Sequence, residues 1–254
     1  QDCFVKLVEK IATIKPARGA SAWLYRTARN RTIDVLRHRK FEVLPGDDAV
    51  SERMHDRPGR KDSTPADDAL PLDPRDGVTL MLDELAAALE PLTLVAVGPL
   101  TNIAAVIQRG GGLPDRIQEI ICMAGTLAPG EEEWNVLCDA DAARIVFQSG
   151  LPVTLGTRFI VNQPKLRRAH RDRLAASQDP GVQALVVLLD HFLGIKQRDL
   201  TPMYDPVTLS MAYSDEFIQA EAMTLTVEQQ GDVVALTPDP EGSARINISV
   251  SVQP

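Results

Sequence analysis

The chain has 254 residues, enough for one large domain or two small ones. Apolar residues make up 44% and aromatics 4%, the profile of a globular protein in water. No apolar run approaches the ~18–20 residues a membrane span needs, so no membrane partner is expected. The net charge of −8 is uneven: residues 1–45 hold ten Lys/Arg against four Asp/Glu, leaving −14 on the remainder. Nucleic acid is thereby excluded as a partner of the acidic body but not of the basic arm.

The start, "QDCFVKLVEK", has neither the basic-then-apolar order of a signal peptide nor a cleavage site. It also lacks an initiating Met, and the expectation is a chain that begins inside a larger frame. The cysteines (Cys3, Cys122 and Cys138) are odd in number and scattered, with no CxxC spacing for zinc. A reducing cytoplasm fits that usage.

Residues 1–44 predict helices. "CFVKLVEKIATI" repeats apolar residues at helical spacing, "PARGA" interrupts it, and Ser21 can cap "SAWLYRTARNRTIDVLRHRK". Residues 45–76 are polar and rich in Pro and Asp, with little to bury, and read as a linker. From Gly77 to residue 254 the pattern is that of a second domain. "VTLMLDELAAALE" predicts an amphipathic helix, "LTLVAVG" a buried strand, and "PLTNIAAVIQR" a helix. "IQEIICMAG" predicts another strand, "DADAARIVFQSG" a helix with Asp at its start, and "LPVTLGTRFI" a third strand. Strands alternating with helices predict an α/β domain with an open, mostly parallel sheet. In such sheets ligands bind at the carboxyl ends of the strands, which directs attention to Val97–Asn102, Met123–Asn135 and the segment around Asp205. In "TPMYDPVTLS" the Pro after Asp205 favours a turn or a helix start, from which the carboxylate can face a cleft.

"LTLVAVGPLTNIAAVIQR", "RIQEIICMAGTL", "EEEWNVLCDADAARIVFQSGLPVTL" and "YDPVTLSMAY" occur in an order that resembles the inosine–uridine-preferring nucleoside hydrolases, over roughly residues 72–250. The resemblance implies cleavage of the N-glycosidic bond of ribonucleosides to base and ribose. It also implies a Ca²⁺ ion that binds the attacking water and the ribose hydroxyls, and a family that commonly forms oligomers. A hard cation wants six to eight oxygen ligands and lowers the pKa of bound water. By position, Val97 matches the residue whose carbonyl binds the ion, and Asp205 matches a late aspartate ligand. Met123 matches a Met lining the ribose; Glu133 and Asn135 match a pair that hydrogen-bonds ribose hydroxyls. Against those roles stand simpler ones: Met123 as core filler, Glu133 as one of three solvated glutamates. Asn102 reads as a cap or brace of its loop.

The departures from the family pattern are specific. Members open with an apolar strand running into D-x-D-x-G-x-D-D, and nothing before Gly77 supplies that strand. "DSTPADDAL" is the nearest match: Asp67 and Asp68 mimic the last two acids, but Thr64 replaces a ligand and Pro71 would break the following helix. The segment between Met123 and Glu133 is short and lacks an Asn that members use on ribose. Tyr204 stands where many members carry a His for the leaving base, and a phenol with pKa near 10 is a poorer acid at neutral pH. Weak or no hydrolase activity is the expectation.

Residues 1–44 carry a different likeness. "QDCFVKL" and "PARGASAWLYRTARNRTIDVLRHR" resemble region 2 of extracytoplasmic-function sigma factors, which contacts RNA polymerase and melts promoter DNA. That resemblance implies phosphate contacts from Arg29, Arg31, Arg37 and Arg39 and aromatics that receive unstacked bases; Trp23 and Tyr25 read instead as core, packed inward from an amphipathic helix. The resulting alternatives are a DNA- or polymerase-binding protein with an acidic appendage, or a join of two gene fragments.

Overall fold

The computed structural model describes residues 75–128, 131–196, 199–231 and 233–252. All of them fall in one compact unit. The expectations for residues 1–74 lie outside the described residues: the basic helices with Arg29, Arg31, Arg37 and Arg39, the linker, and the Asp67–Asp68 pair.

The first half of this unit follows the pattern read from the sequence. Helix α1 (Gly77–Ala87) starts at Asp76, whose carboxylate accepts from the backbone N–H groups of Val78 and Thr79, both at 3.0 Å. That cap satisfies two of the donors every helix start leaves open. Strand β1 (Leu92–Ala96), helix α2 (Thr101–Arg109) and strand β2 (Ile117–Met123) follow. Then come a short helix α3 (Trp134–Cys138), helix α4 (Ala140–Phe147) and strand β3 (Val153–Gly156). Asp139 caps α4 by accepting from the Ala142 N–H at 3.0 Å.

"LPVTLGTRFI" is not one strand. It divides at Thr157, after which Arg158–Val161 form a short helix, α5. Tertiary hydrogen bonds turn the chain there. The Thr157 N–H donates to Ser249 Oγ at 2.9 Å, and the Arg158 N–H donates to the Gly125 carbonyl at 3.1 Å.

The second half comprises β4 (Lys165–Arg167), α6 (Arg168–Ala175), α7 (Pro180–Lys196), β5 (Leu200–Pro202) and α8 (Tyr204–Ser210). It ends in three longer strands, β6 (Ile218–Gln230), β7 (Val233–Pro238) and β8 (Ala244–Val252). Strands β4 and β5 form a small antiparallel pair.

Among the described residues the main sheet has the order β1-β2-β3-β8-β6-β7. β1, β2, β3 and β8 run parallel, and β6 and β7 extend the sheet antiparallel. Helices cover both faces. Leu85, Ile103, Val106 and Val146 from α1, α2 and α4 pack on Ile120, Leu155, Ile246 and Ile248. On the other face, Val161, Val186 and Val207 from α5, α7 and α8 pack with Met123 and Ile218. A sheet buried on both faces reads as continuous apolar runs, as "EIICM" does. Among the described residues no helix is long and apolar enough to cross a membrane.

Candidate active site

The parallel strands β1, β2 and β3 end at Ala96, Met123 and Gly156. Their carboxyl ends therefore lie along one edge of the sheet, where open α/β sheets bind ligands. Val97 is the first residue beyond β1 and is half-buried. Met123 and Gly156 are register partners on adjacent strands. Helix α8 packs against both β2 and β3. Tyr204 is its first residue and Asp205 its second, so Pro206 falls in the first helical turn, as the sequence predicts. Val97, Met123 and Tyr204 belong to one apolar cluster, which brings together three positions far apart in the chain. Asp205 is half-buried, with its negative charge in the first turn of α8, where the helix dipole favours it.

Glu133 is not a solvated glutamate. It is 4% exposed and forms the N-cap of α3. Both carboxylate oxygens accept backbone hydrogen bonds: Oε1 from Asn135 N–H at 3.0 Å, and Oε2 from Val136 N–H at 3.1 Å and Gly125 N–H at 3.2 Å. Burial raises its pKa, opposed by those three N–H donors and by the positive charge of Arg158. The bond to Gly125 ties the start of α3 to the exit of β2. Gly125 has φ +74°, a left-handed conformation that glycine adopts without a Cβ penalty.

Asn135 is 3% exposed. Its Nδ2 donates to the Met123 carbonyl at 2.9 Å and lies 3.4 Å from Met123 Sδ. The carbonyl is an acceptor, so the amide nitrogen must face it. That leaves Asn135 Oδ1 buried and without a hydrogen-bond partner. Met123 is buried in the apolar cluster as well as touching Asn135, so its packing role and its place at the strand end coincide. Asn102 is exposed in α2, and its Nδ2 would lie 3.2 Å from a Cβ on Gly77. Helix α2 has no side-chain cap.

Four residues that the sequence did not single out help build this edge. Thr157 and Ser249 join β3 to β8 through their hydroxyls at 3.0 Å. Arg158 donates from Nη1 to the Glu132 carbonyl at 2.8 Å, holding the loop before α3. Thr208, fully buried on α8, packs against Gly156, and its hydroxyl has no hydrogen-bond partner. None of the four carries a local signal in the sequence, unlike Gly125, which closes the strand run "IQEIICMAG".

The Ca²⁺ implied by the resemblance has an incomplete donor set here. Among the described residues no three His, Cys, Asp or Glu side chains cluster so as to hold a metal ion. The Val97 carbonyl and the Asp205 carboxylate are two candidate donors where a hard cation wants six to eight oxygens. Glu133 is already engaged by three N–H groups. The described residues do not fit the ion.

Comparison with known proteins agrees with this architecture. The family model for the inosine-uridine preferring nucleoside hydrolases matches residues 12–253. The pyrimidine-specific ribonucleoside hydrolase RihA of Shewanella baltica is 31% identical over 166 residues, covering 61% of this chain and 52% of that protein. RihA of Photobacterium profundum is 29% identical over 192 residues, covering 72% and 62%. The purine-preferring ribonucleoside hydrolase from Gardnerella vaginalis shares the fold, with a TM-score of 0.62 at 23% identity over 84% of this chain and 71% of that one. The plant nucleoside hydrolase PpNRh1 gives a TM-score of 0.60 at 20% identity, over 72% and 65%. The chain spans about half the length of the Shewanella relative. The matched span begins at residue 12 and so takes in most of the stretch that resembles a sigma factor. By that match, the chain belongs to the inosine-uridine preferring nucleoside hydrolase family.

Proposed function

We propose that the chain is a ribonucleoside-binding member of this family, with weak or no cleavage of the N-glycosidic bond. One observation carries the reading. Val97, Met123, the Glu133–Asn135 pair and Tyr204–Asp205 stand at or beside the carboxyl ends of β1 and β2 and the start of α8, which packs on β2 and β3. In this reading Met123 and Asn135 meet the ribose. Asp205 supplies negative charge of the sign that an oxocarbenium-like transition state needs. Tyr204 faces the leaving base, as a weak proton donor in place of His. Val97 and Asp205 are the positions that the family resemblance assigns to Ca²⁺, too few to hold it among the described residues. The shortage of donors is the reason for expecting little turnover. The hydrolase-like domain is taken as residues 77–254.

A reducing cytoplasm remains the proposed location, from the odd number and scattered places of the cysteines in the sequence. Binding of promoter DNA or RNA polymerase through Arg29, Arg31, Arg37 and Arg39 rests on the sequence alone, and no described residue favours it.

Calorimetric titration with uridine and with inosine tests the proposal. Saturable binding that Asn135→Ala weakens at least tenfold is the expected result. Absence of binding by both nucleosides would remove it.

A further inference from the structure

We infer that Arg158 is a positioning residue, which from the end of β3 holds both ends of the connection between β2 and α3 and so sets the rim of the site. The inference rests on the ribonucleoside reading above for what that rim surrounds.

Strands β2 and β3 are in register at Met123 and Gly156. Two residues beyond that pair, the Arg158 N–H donates to the Gly125 carbonyl at 3.1 Å, so the exits of the two strands stay joined. The Thr157 N–H donates to Ser249 Oγ at 2.9 Å and ties the same backbone to β8. From this fixed base the guanidinium reaches the far end of the connection, where Nη1 donates to the Glu132 carbonyl at 2.8 Å. Arg158 therefore holds the connection where it leaves β2 and again just before Glu133 caps α3. Glu131 Oε2 stands 4.0 Å from Nη1, but with the two side chains 49% and 54% exposed such a pair contributes little. The bond to the carbonyl carries the grip, and a bond from a charged donor is about twice as strong as a neutral one. Met123 and Asn135 stand on opposite sides of the gap that the grip spans, one at the end of β2 and the other in α3. The Arg158 charge also favours the ionised form of Glu133, against the effect of burial.

Uridine affinity and the urea midpoint are measured for the full chain and for Arg158→Ala. The substitution removes the grip at Glu132 and keeps the backbone bond to Gly125. Affinity should fall about fivefold, the size of one ordinary hydrogen bond. Because the Arg158 side chain is half exposed, the place it vacates is open to small solutes. Ethylguanidinium, at a concentration that leaves the urea midpoint unchanged, should restore part of the affinity of Arg158→Ala. Ethylammonium, a point charge without the planar fork, should restore less. A residue that only stabilises the fold would give no such rescue. Wild-type affinity in Arg158→Ala, or a loss that ethylguanidinium does not reduce, would overturn the proposal. If Arg158→Ala does not fold, Arg158→Met carries the test, since it keeps most of the apolar stem and removes every donor. Its affinity must fall likewise, and undiminished binding overturns the proposal. A wild-type chain that fails to bind uridine removes the ribonucleoside reading alone. The grip is then decided by cleavage after Glu131 and Glu132 with a glutamate-specific protease, which should be faster in Arg158→Ala than in the full chain. Equal rates would overturn it.

Discussion

Gly156 and Thr208 are packed with no room for a methyl group between them. A Cβ on Gly156 would overlap Thr208 Oγ1 and stand 3.0 Å from Val161 Cγ1. This contact seats α8, with Tyr204 and Asp205 at its start, on the end of β3. Gly156→Ala should therefore destabilise the fold by about 1–3 kcal/mol, the usual cost of overpacking. Urea unfolding measures it. The second-site change Thr208→Ala should recover part of the loss, because it removes the overlapping hydroxyl. A Gly156→Ala variant as stable as wild type would show that α8 is not held against β3 in this way.

Thr208→Val should act in the opposite direction. The Thr208 hydroxyl is buried without a hydrogen-bond partner, and an unmet buried polar group costs about 1–3 kcal/mol. Valine keeps the branched shape and removes that cost. The expected outcome is a gain of about 1 kcal/mol, read as a higher urea midpoint with an unchanged slope.

The buried carboxylate of Glu133 gives stability a defined pH dependence. Burial raises its pKa in the folded chain, and its three N–H bonds and Arg158 only partly offset this. The folded state thus holds the proton more tightly than the unfolded one. The stability from this group is fully present below the ordinary glutamate range and is lost as pH rises through the raised folded value. Glu133→Gln has no such proton to lose. The stability difference between wild type and Glu133→Gln should shift against wild type as pH rises through that window. Parallel pH curves for the two proteins would contradict it.

Cys122 should be inert in the native protein. It is fully buried in β2, and burial together with the nearby Glu133 charge drives its thiol pKa upward. The thiolate is the reactive form, so both access and ionisation oppose modification. Peptide mapping after brief alkylation should find Cys122 unlabelled in buffer and labelled in denaturant. Labelling in buffer at the denatured rate would contradict its place in the core.

Much of the parallel half was legible because its signals are local. The run "IQEIICM" is a largely buried strand, "LTLVA" is a strand but only half-buried, because among the described residues it lies at the end of the sheet, and Asp139 caps α4 through its own neighbours. The division of "LPVTLGTRFI" was not legible. Thr157 turns toward Ser249, and the Arg158 N–H toward Gly125, through partners remote in sequence. Asp205 at a helix start could be read from the Pro that follows it. The burial of Glu133 could not. Three consecutive glutamates look alike in sequence, and only the third has backbone donors converging on it. Thr208 left no trace either, since its role depends on the bare Gly156 of another element.

The central claim is the one proposed above: the positions that the family resemblance sets against the ribonucleoside are present, while the described residues hold too few oxygen donors for metal-assisted cleavage. Its most direct test is a calcium titration with a chromogenic ribonucleoside, run on the full chain and on Asp205→Ala. The account predicts no calcium-dependent turnover above the Asp205→Ala background at any calcium concentration. Calcium-dependent turnover in the full chain, abolished by Asp205→Ala, would contradict it.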